Sequence, residues 1–192
     1  MNSRNIKNLR IIRILLNNLE DSLTKYKIAK LSGCSTAWVI EFLGKLELLN
    51  LVRGTKILNK DKLVDYYIEK APKEKFFDFY VKNPIEFLKR VELDYALTTY
   101  GAENLTTHIL FPSRYDIYIK EKDLEEWKKS ILKDGLIGKG NLRLIIAKDE
   151  TILNEARNIK KIKIVSESQL LIDLKREGGV CIEAYNIIIK NV

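Results

Sequence analysis

The sequence predicts an α+β protein in two domains, and three observations lead there. Residues 1–72 read as three short helices, a hairpin and a fourth helix. Residues 73–192 alternate strands with helices, the pattern of an α/β domain whose central sheet is covered by helices. Positive charge is concentrated early in the chain. Residues 1–70 hold 13 Lys or Arg against 7 Asp or Glu, whereas the other 122 hold 21 against 19.

Within the first segment, Leu9, Ile12, Leu15 and Leu16 recur at helical spacing over residues 5–19, and Lys7, Arg10 and Arg13 are expected on the other side. Thr24 is a good N-cap for a short helix over residues 25–31, with Ile28, Ala29 and Leu31 facing inward. Gly33 suits the left-handed turn that ends a helix, and Ser35 caps a third helix running to about Leu49. Its inward stripe is Val39, Leu43 and Leu46, with Phe42 and Leu49 beside it. Leu51-Val52-Arg53, Gly54-Thr55 and Lys56-Ile57-Leu58 read as a hairpin. Asn59 caps a helix over residues 60–70, which Ala71-Pro72-Lys73 ends.

Beyond that boundary, residues 76–81 are expected as a strand and residues 84–91 as a helix with Pro84 in its first turn. Residues 94–98 form a short strand. A helix from about Ala102 to Leu110 contains His108. Residues 115–119 alternate as a strand does. Residues 123–132, acidic first and basic later, suit a helix dipole. Gly135, Gly138 and Gly140 mark a loop. Residues 142–147 and 161–165 are strands, Ser166 caps a helix to about Arg176, and Gly178-Gly179 turns the chain into a last helix over residues 182–190.

Composition narrows the function classes. Apolar residues make up 46% and charged residues 31%, enough for a buried core and too ordered a mix for a disordered chain. No apolar run approaches the ~20 residues a bilayer span needs, and the first ten residues lack a signal-peptide pattern. A soluble, cytoplasmic protein with no membrane partner is expected. Cys34 and Cys181 are far apart and His108 is the only histidine, so no metal site and no cofactor is expected. The net charge is +8, and its concentration in the first third points to a polyanionic partner.

The pattern Gly33-x-Ser35-x-x-x-Val39-x-x-x-Leu43-x-x-Leu46, then Leu49-x-Leu51-Val52 and a hairpin, fits a winged helix-turn-helix. The DNA major groove admits one α-helix, so a reader needs a helix held proud of its body. The outward side of the third helix carries Thr36, Ala37, Ile40, Glu41 and Lys45. Ser35, Thr36 and the helix N-terminus suit phosphate. Thr36, Ala37, Ile40 and Glu41 suit base edges: the apolar groups for a thymine methyl, Glu for a cytosine amine. Lys25, Tyr26, Lys27, Arg53 and Lys56 suit the DNA backbone. The alternatives are a helical bundle with a solvated basic face, or a winged helix that contacts protein. An exposed Ile40 favours either. Trp38 is expected at the core edge, and Cys34 as a buried thiol in the turn.

The second segment has no catalytic signature, and no catalytic residue is assigned. One histidine and no nucleophile motif leave little for acyl transfer. The glycines at 135, 138 and 140 precede a strand, not a helix, and so lack the dipole of a phosphate loop. Glu126-x-Lys128 and Asp173-x-Lys175 match a nuclease motif only in letters, since both lie on expected helices. Asp116 stands alone on its strand, without the Asp-x-Asp pair of a nucleotidyltransferase.

The stretches DYALTTYGAENL, YDIYIKEKDLEE and VSESQLLIDLKREGGVCIEAYNIIIK resemble the C-terminal region of AbiEi-type regulators, the antitoxins of type IV toxin–antitoxin systems. Leu97, Thr98 and Ala102 match a strand end before a small-residue helix. Val165, Ser166, Gln169, Asp173, Leu174, Gly178, Glu183 and Ala184 match a later stretch. Thr99 stands where glycine is usual, and Gly179-Val180 replaces a Gly-basic-Gly-like turn. The resemblance implies a non-catalytic repressor of its own operon, binding double-stranded operator DNA. It also implies that a nucleotidyltransferase-like toxin is the functional partner. An inverted-repeat operator would recruit a homodimer or two monomers in turn. A nucleic-acid-processing enzyme targeted by a winged helix, or a regulator whose α/β domain binds a small ligand, remains the alternative.

Overall fold

The computed structural model describes residues 3–18, 23–133 and 135–191. The fold is α+β, with helices alongside a seven-stranded sheet and a small two-stranded one. The chain divides into two compact units. One runs to Pro72 and takes in the chain from Asn186; the other is Lys73–Tyr185.

The first unit begins with helices α1 (Ser3–Leu16), α2 (Lys25–Ser32) and α3 (Thr36–Leu48). The hairpin of β1 (Val52–Arg53) and β2 (Lys56–Ile57) follows, then α4 (Lys60–Lys70). Thr24, Ser35 and Asn59 cap the last three helices, accepting from the amides of Lys27, Trp38 and Lys62. Gly33 ends α2 at φ 67°, a left-handed conformation. The Arg10 guanidinium then donates to the Ser32 carbonyl at 2.9 Å, satisfying one of the carbonyls that the helix end leaves open.

α1 packs on α2 and α4, and α2 on α3. Leu9, Ile12, Ile28, Val39, Leu43, Leu46, Leu63 and Val64 are all buried there. Each such side chain contributes about 1.5–3 kcal/mol of burial.

Three expectations fail here. Arg13 is fully buried instead of solvated. It follows Leu9 by four residues and Ile12 by one, so it belongs to the Leu9–Ile12–Leu16 stripe. Leu31 is exposed because Ser32, four residues after Ile28, takes the inward position of α2. Leu49 is exposed beyond the last turn of α3, and Leu51 fills the core instead. The expected end of the first helix, Leu19, lies outside the described residues.

The second unit begins with β3 (Phe76–Val81), α5 (Pro84–Arg90), β4 (Ala96–Thr98), α6 (Thr99–Thr106) and β5 (Tyr115–Ile119). It continues through α7 (Leu124–Ile131), β6 (Gly135–Ile137), β7 (Leu142–Ile146) and α8 (Thr151–Asn154). Then come β8 (Arg157–Ile159), β9 (Ile162–Ile164) and α9 (Glu167–Glu177). The last helix, α10 (Cys181–Asn191), starts in this unit.

The sheet order is β6-β3-β7-β5-β4-β9-β8. β5 runs parallel to β7, and β4 parallel to β9; the other neighbours are antiparallel. Leu97, Ile117, Leu142 and Leu144 of the inner strands are fully buried. α6, which connects β4 to β5, packs on α9 and on both of those strands.

Two differences are instructive. α6 starts at Thr99 and ends at Thr106, so His108 lies beyond it, exposed, at φ 60°. Glu103 stops the helix: its carboxyl oxygens accept from the amides of Ile109 (3.1 Å) and Leu110 (2.7 Å) and from the Thr107 hydroxyl. Residues 135–137, expected as part of a loop, form edge strand β6. A Cβ on Gly135 would lie 2.4 Å from the Tyr80 carbonyl oxygen. One on Gly140 would lie 2.1 Å from that of Phe79. These two glycines let the chain pass close along β3.

Candidate nucleic-acid interface

α3 buries Val39, Phe42, Leu43 and Leu46 on one side. At 100° per residue, Ala37, Ile40, Glu41 and Lys45 then fall on the other, while Thr36 starts the helix at the border of the buried side; all five are exposed. Ile40 is 49% exposed, so a large apolar group does stand on this face. Lys45 reaches back one turn to Glu41 at 2.6 Å. The hydrogen bond and charge of Lys45 hold the Glu41 carboxyl below the usual carboxylate range, with a smaller contribution from Arg4. Both side chains remain mostly in solvent, so the pair is weak and opens readily toward a stronger partner.

The hairpin is tied to the end of α3. The Gly54 amide donates to the Glu47 carboxylate, and the Leu58 amide to the Leu51 carbonyl at 2.9 Å. Val52 pairs with Ile57 and Arg53 with Lys56. Val52 anchors the hairpin in the core, while Arg53 and Lys56 stand exposed. Lys25, Tyr26 and Lys27 form the first turn of α2, all exposed; Tyr26 is 71% so. Ser35 is exposed as well and holds the Trp38 amide at 3.2 Å. All eleven candidate side chains thus reach solvent in the first unit.

Cys34 is a correction. Its thiol is half-buried, 3.8 Å from the Ser32 carbonyl oxygen, and Ser32 is the buried residue of the turn. Trp38 sits at the core edge, half-buried, and its indole N–H donates to Asn8 Oδ1 at 2.8 Å. The Arg4 guanidinium lies 5.6 Å from the Trp38 ring and the Lys7 ammonium 5.8 Å. Sequence reasoning placed no first-helix residue at the interface. The signal was present, because Arg4, Lys7 and Asn8 stand at i, i+3 and i+4 and share one face.

The second unit holds a buried polar cluster. The Thr98 hydroxyl donates to Asp173 at 2.6 Å, the Gln169 amide at 2.9 Å and the Tyr118 hydroxyl at 3.0 Å. Arg176 joins Glu74 to this group. Beside it, Arg114 grips Asp116 through two hydrogen bonds of 2.6 and 2.9 Å and reaches Glu177 at 2.8 Å. The Thr99 hydroxyl donates to Asp116 as well, from φ 46°. That left-handed conformation is one that favours glycine. Among the described residues, no group of three or more His, Cys, Asp or Glu is placed to hold a metal ion. No helix among them is long and apolar enough to cross a membrane.

Burial pushes the Asp173 carboxyl up to about 7, with the Arg176 guanidinium opposing the shift and Glu74 adding to it. The folded protein therefore holds this proton more tightly than the unfolded chain, where Asp titrates near ~3.9. The contribution of Asp173 to stability falls as pH rises from about 4 to about 7 and then levels off. Urea midpoints at pH 4.5 and 7.5 are expected to show the wild type losing ground to Asp173→Asn over that interval. A constant difference between the two would count against the shift.

No family model, no curated protein and no solved structure matches the chain.

Proposed function

We propose that the first unit is a winged helix-turn-helix that binds double-stranded operator DNA, with α3 in the major groove and the β1–β2 hairpin on the backbone. The observation that carries this reading is the outward side of α3. Its N-terminus is capped by Ser35, and its exposed side chains stand beside a hairpin bearing Arg53 and Lys56. In this reading Ile40, beside Ala37, meets thymine methyls; on a protein-contacting face it would meet an apolar patch instead. The charge balance of residues 1–70 supports a polyanionic partner over a protein one.

The reading extends to a cytoplasmic repressor of its own promoter, the antitoxin of a type IV pair, countering a nucleotidyltransferase-like toxin. Two observations support it. Thr98, Gln169 and Asp173, which carry the resemblance to AbiEi-type regulators, meet in one hydrogen-bonded cluster. Asp116, which lacks the Asp-x-Asp partner that a nucleotidyltransferase needs, is engaged by Arg114 and Thr99. A non-catalytic second unit fits both.

Fluorescence anisotropy with DNA from the protein's own promoter, across a salt series, tests the proposal. Wild type is expected to bind that fragment at least ~10³-fold more tightly than scrambled DNA. Lys45→Ala with Arg53→Ala is expected to weaken binding and to flatten the log–log salt slope by up to about 1.8. Removing Lys45 also takes the bonded cation from Glu41 on the reading face. Equal affinity for promoter and scrambled DNA would sink the operator reading.

A further inference from the structure

The backbone contacts assigned so far lie on α2, α3 and the hairpin. We propose that α1 adds a fourth: Arg4 and Lys7 neutralise DNA phosphates along the Trp38 flank of α3. This rests on the DNA-binding reading and extends it to residues that no helix-turn-helix spacing picks out.

The placement follows from helix geometry. On α3, Trp38 lies next around the cylinder from Lys45 and Glu41, away from Ile40. The Asn8–Trp38 hydrogen bond of 2.8 Å fixes α1 against that flank. Arg4, one turn before Asn8, and Lys7, the residue just before it, then stand within 6 Å of the indole ring. Arg4 is exposed and Lys7 half-exposed. Arg4 also lies close enough to Glu41 to favour its charged form. The α1 cations therefore border the reading face itself.

Charge argues for the occupant. Around this flank, Arg4, Lys7 and Lys45 gather beside Glu41, which is bonded to Lys45. Two like charges at i, i+3 on one helix disfavour the isolated helix by a few tenths of a kcal/mol. The indole ring holds both, since Trp is the best cation–π acceptor. A cluster kept together at that cost, beside a groove-reading helix, complements a row of phosphates. A protein surface would meet it with scattered carboxylates; a duplex presents one charge per ~1.7 Å of its axis.

The test uses the full chain and the same promoter fragment. Arg4→Ala with Lys7→Ala is expected to lower the log–log salt slope by about 1.8, the release of two phosphate contacts, and to weaken binding at least tenfold at 0.15 M salt. Lys122→Ala with Lys129→Ala removes the same charge from exposed positions of the second unit and is expected to change the slope by less than about 0.5. Circular dichroism melts confirm that each variant is folded.

If wild type binds no DNA, the function proposed above falls and this inference with it. If wild type binds and Lys45→Ala/Arg53→Ala weakens it, but Arg4→Ala/Lys7→Ala binds like wild type, this inference alone falls. It falls too if the second-unit control lowers the slope equally, for then net charge and not position is responsible.

Discussion

Replacing Glu103 by alanine is expected to cost about 3 kcal/mol or more, read as a drop in urea midpoint or melting temperature. Glu103 is fully buried on α6, and its two carboxyl oxygens accept from the amides of Ile109 and Leu110 and from the Thr107 hydroxyl. Alanine removes every one of these acceptors at once. A buried donor left unmade loses about 1–3 kcal/mol, because it had partners in water and has none in the fold. The cavity left by the missing side chain adds to this. Glu103→Gln keeps one oxygen and the shape, and should fall between wild type and alanine. An exposed acid such as Glu125, paired with Lys128 at the surface, should cost under ~1 kcal/mol when removed. A Glu103→Ala protein within 1 kcal/mol of wild type would mean that the loop after α6 finds other acceptors.

Gly140→Ala is the second large effect. The added Cβ would lie 2.1 Å from the Phe79 carbonyl oxygen, 2.4 Å from the Phe79 carbonyl carbon and 2.5 Å from the Tyr80 amide nitrogen. These are backbone atoms of β3, which is held on both sides by β6 and β7. No rotamer change relieves the overlap, so one strand must move. The expected loss is about 3 kcal/mol, the upper end for overpacking. Gly44, on α3, is the matched control, since no heavy atom lies within 4 Å of its added Cβ. Gly44→Ala should be neutral or stabilising by up to ~1 kcal/mol, as alanine favours helix. Equal melting of the Gly140 variant and wild type would show that the chain here passes β3 less closely.

The local signals that proved legible share one property: each is complete within a few residues. Thr24, Ser35 and Asn59 cap helices because the acceptor and the amide it serves are three residues apart. Gly33 turns left-handed where the pattern asks for it. β3 and β5 begin and end where their apolar runs do. The exposure of Ala37, Ile40, Glu41 and Lys45 was legible for the same reason, since outward positions on α3 follow from the inward ones.

What was not legible depended on partners far along the chain. The β8–β9 turn sits at Lys160 and Lys161, both at positive φ, without the Asn or Gly that announces such turns. β6 looked like a glycine loop because its reason for being a strand is the close passage of β3, about 55 residues earlier. The Asp173 cluster brings together Thr98, Tyr118, Gln169 and Arg176 from β4, β5 and α9.

By itself, then, the sequence determined the α+β class, the caps of α2, α3 and α4, the main strands and the outward face of α3, whereas Ser166 stands at the start of α9 without a side-chain cap bond. These rest on periodicity and on short-range hydrogen bonds, which need no knowledge of the rest of the chain. Only the tertiary structure decided which way Arg13 and Leu31 turn, where α6 stops, and that Arg4 and Lys7 gather on Trp38. A helix packed on two sides has no single polar face, and a buried donor ends wherever the fold supplies its acceptor.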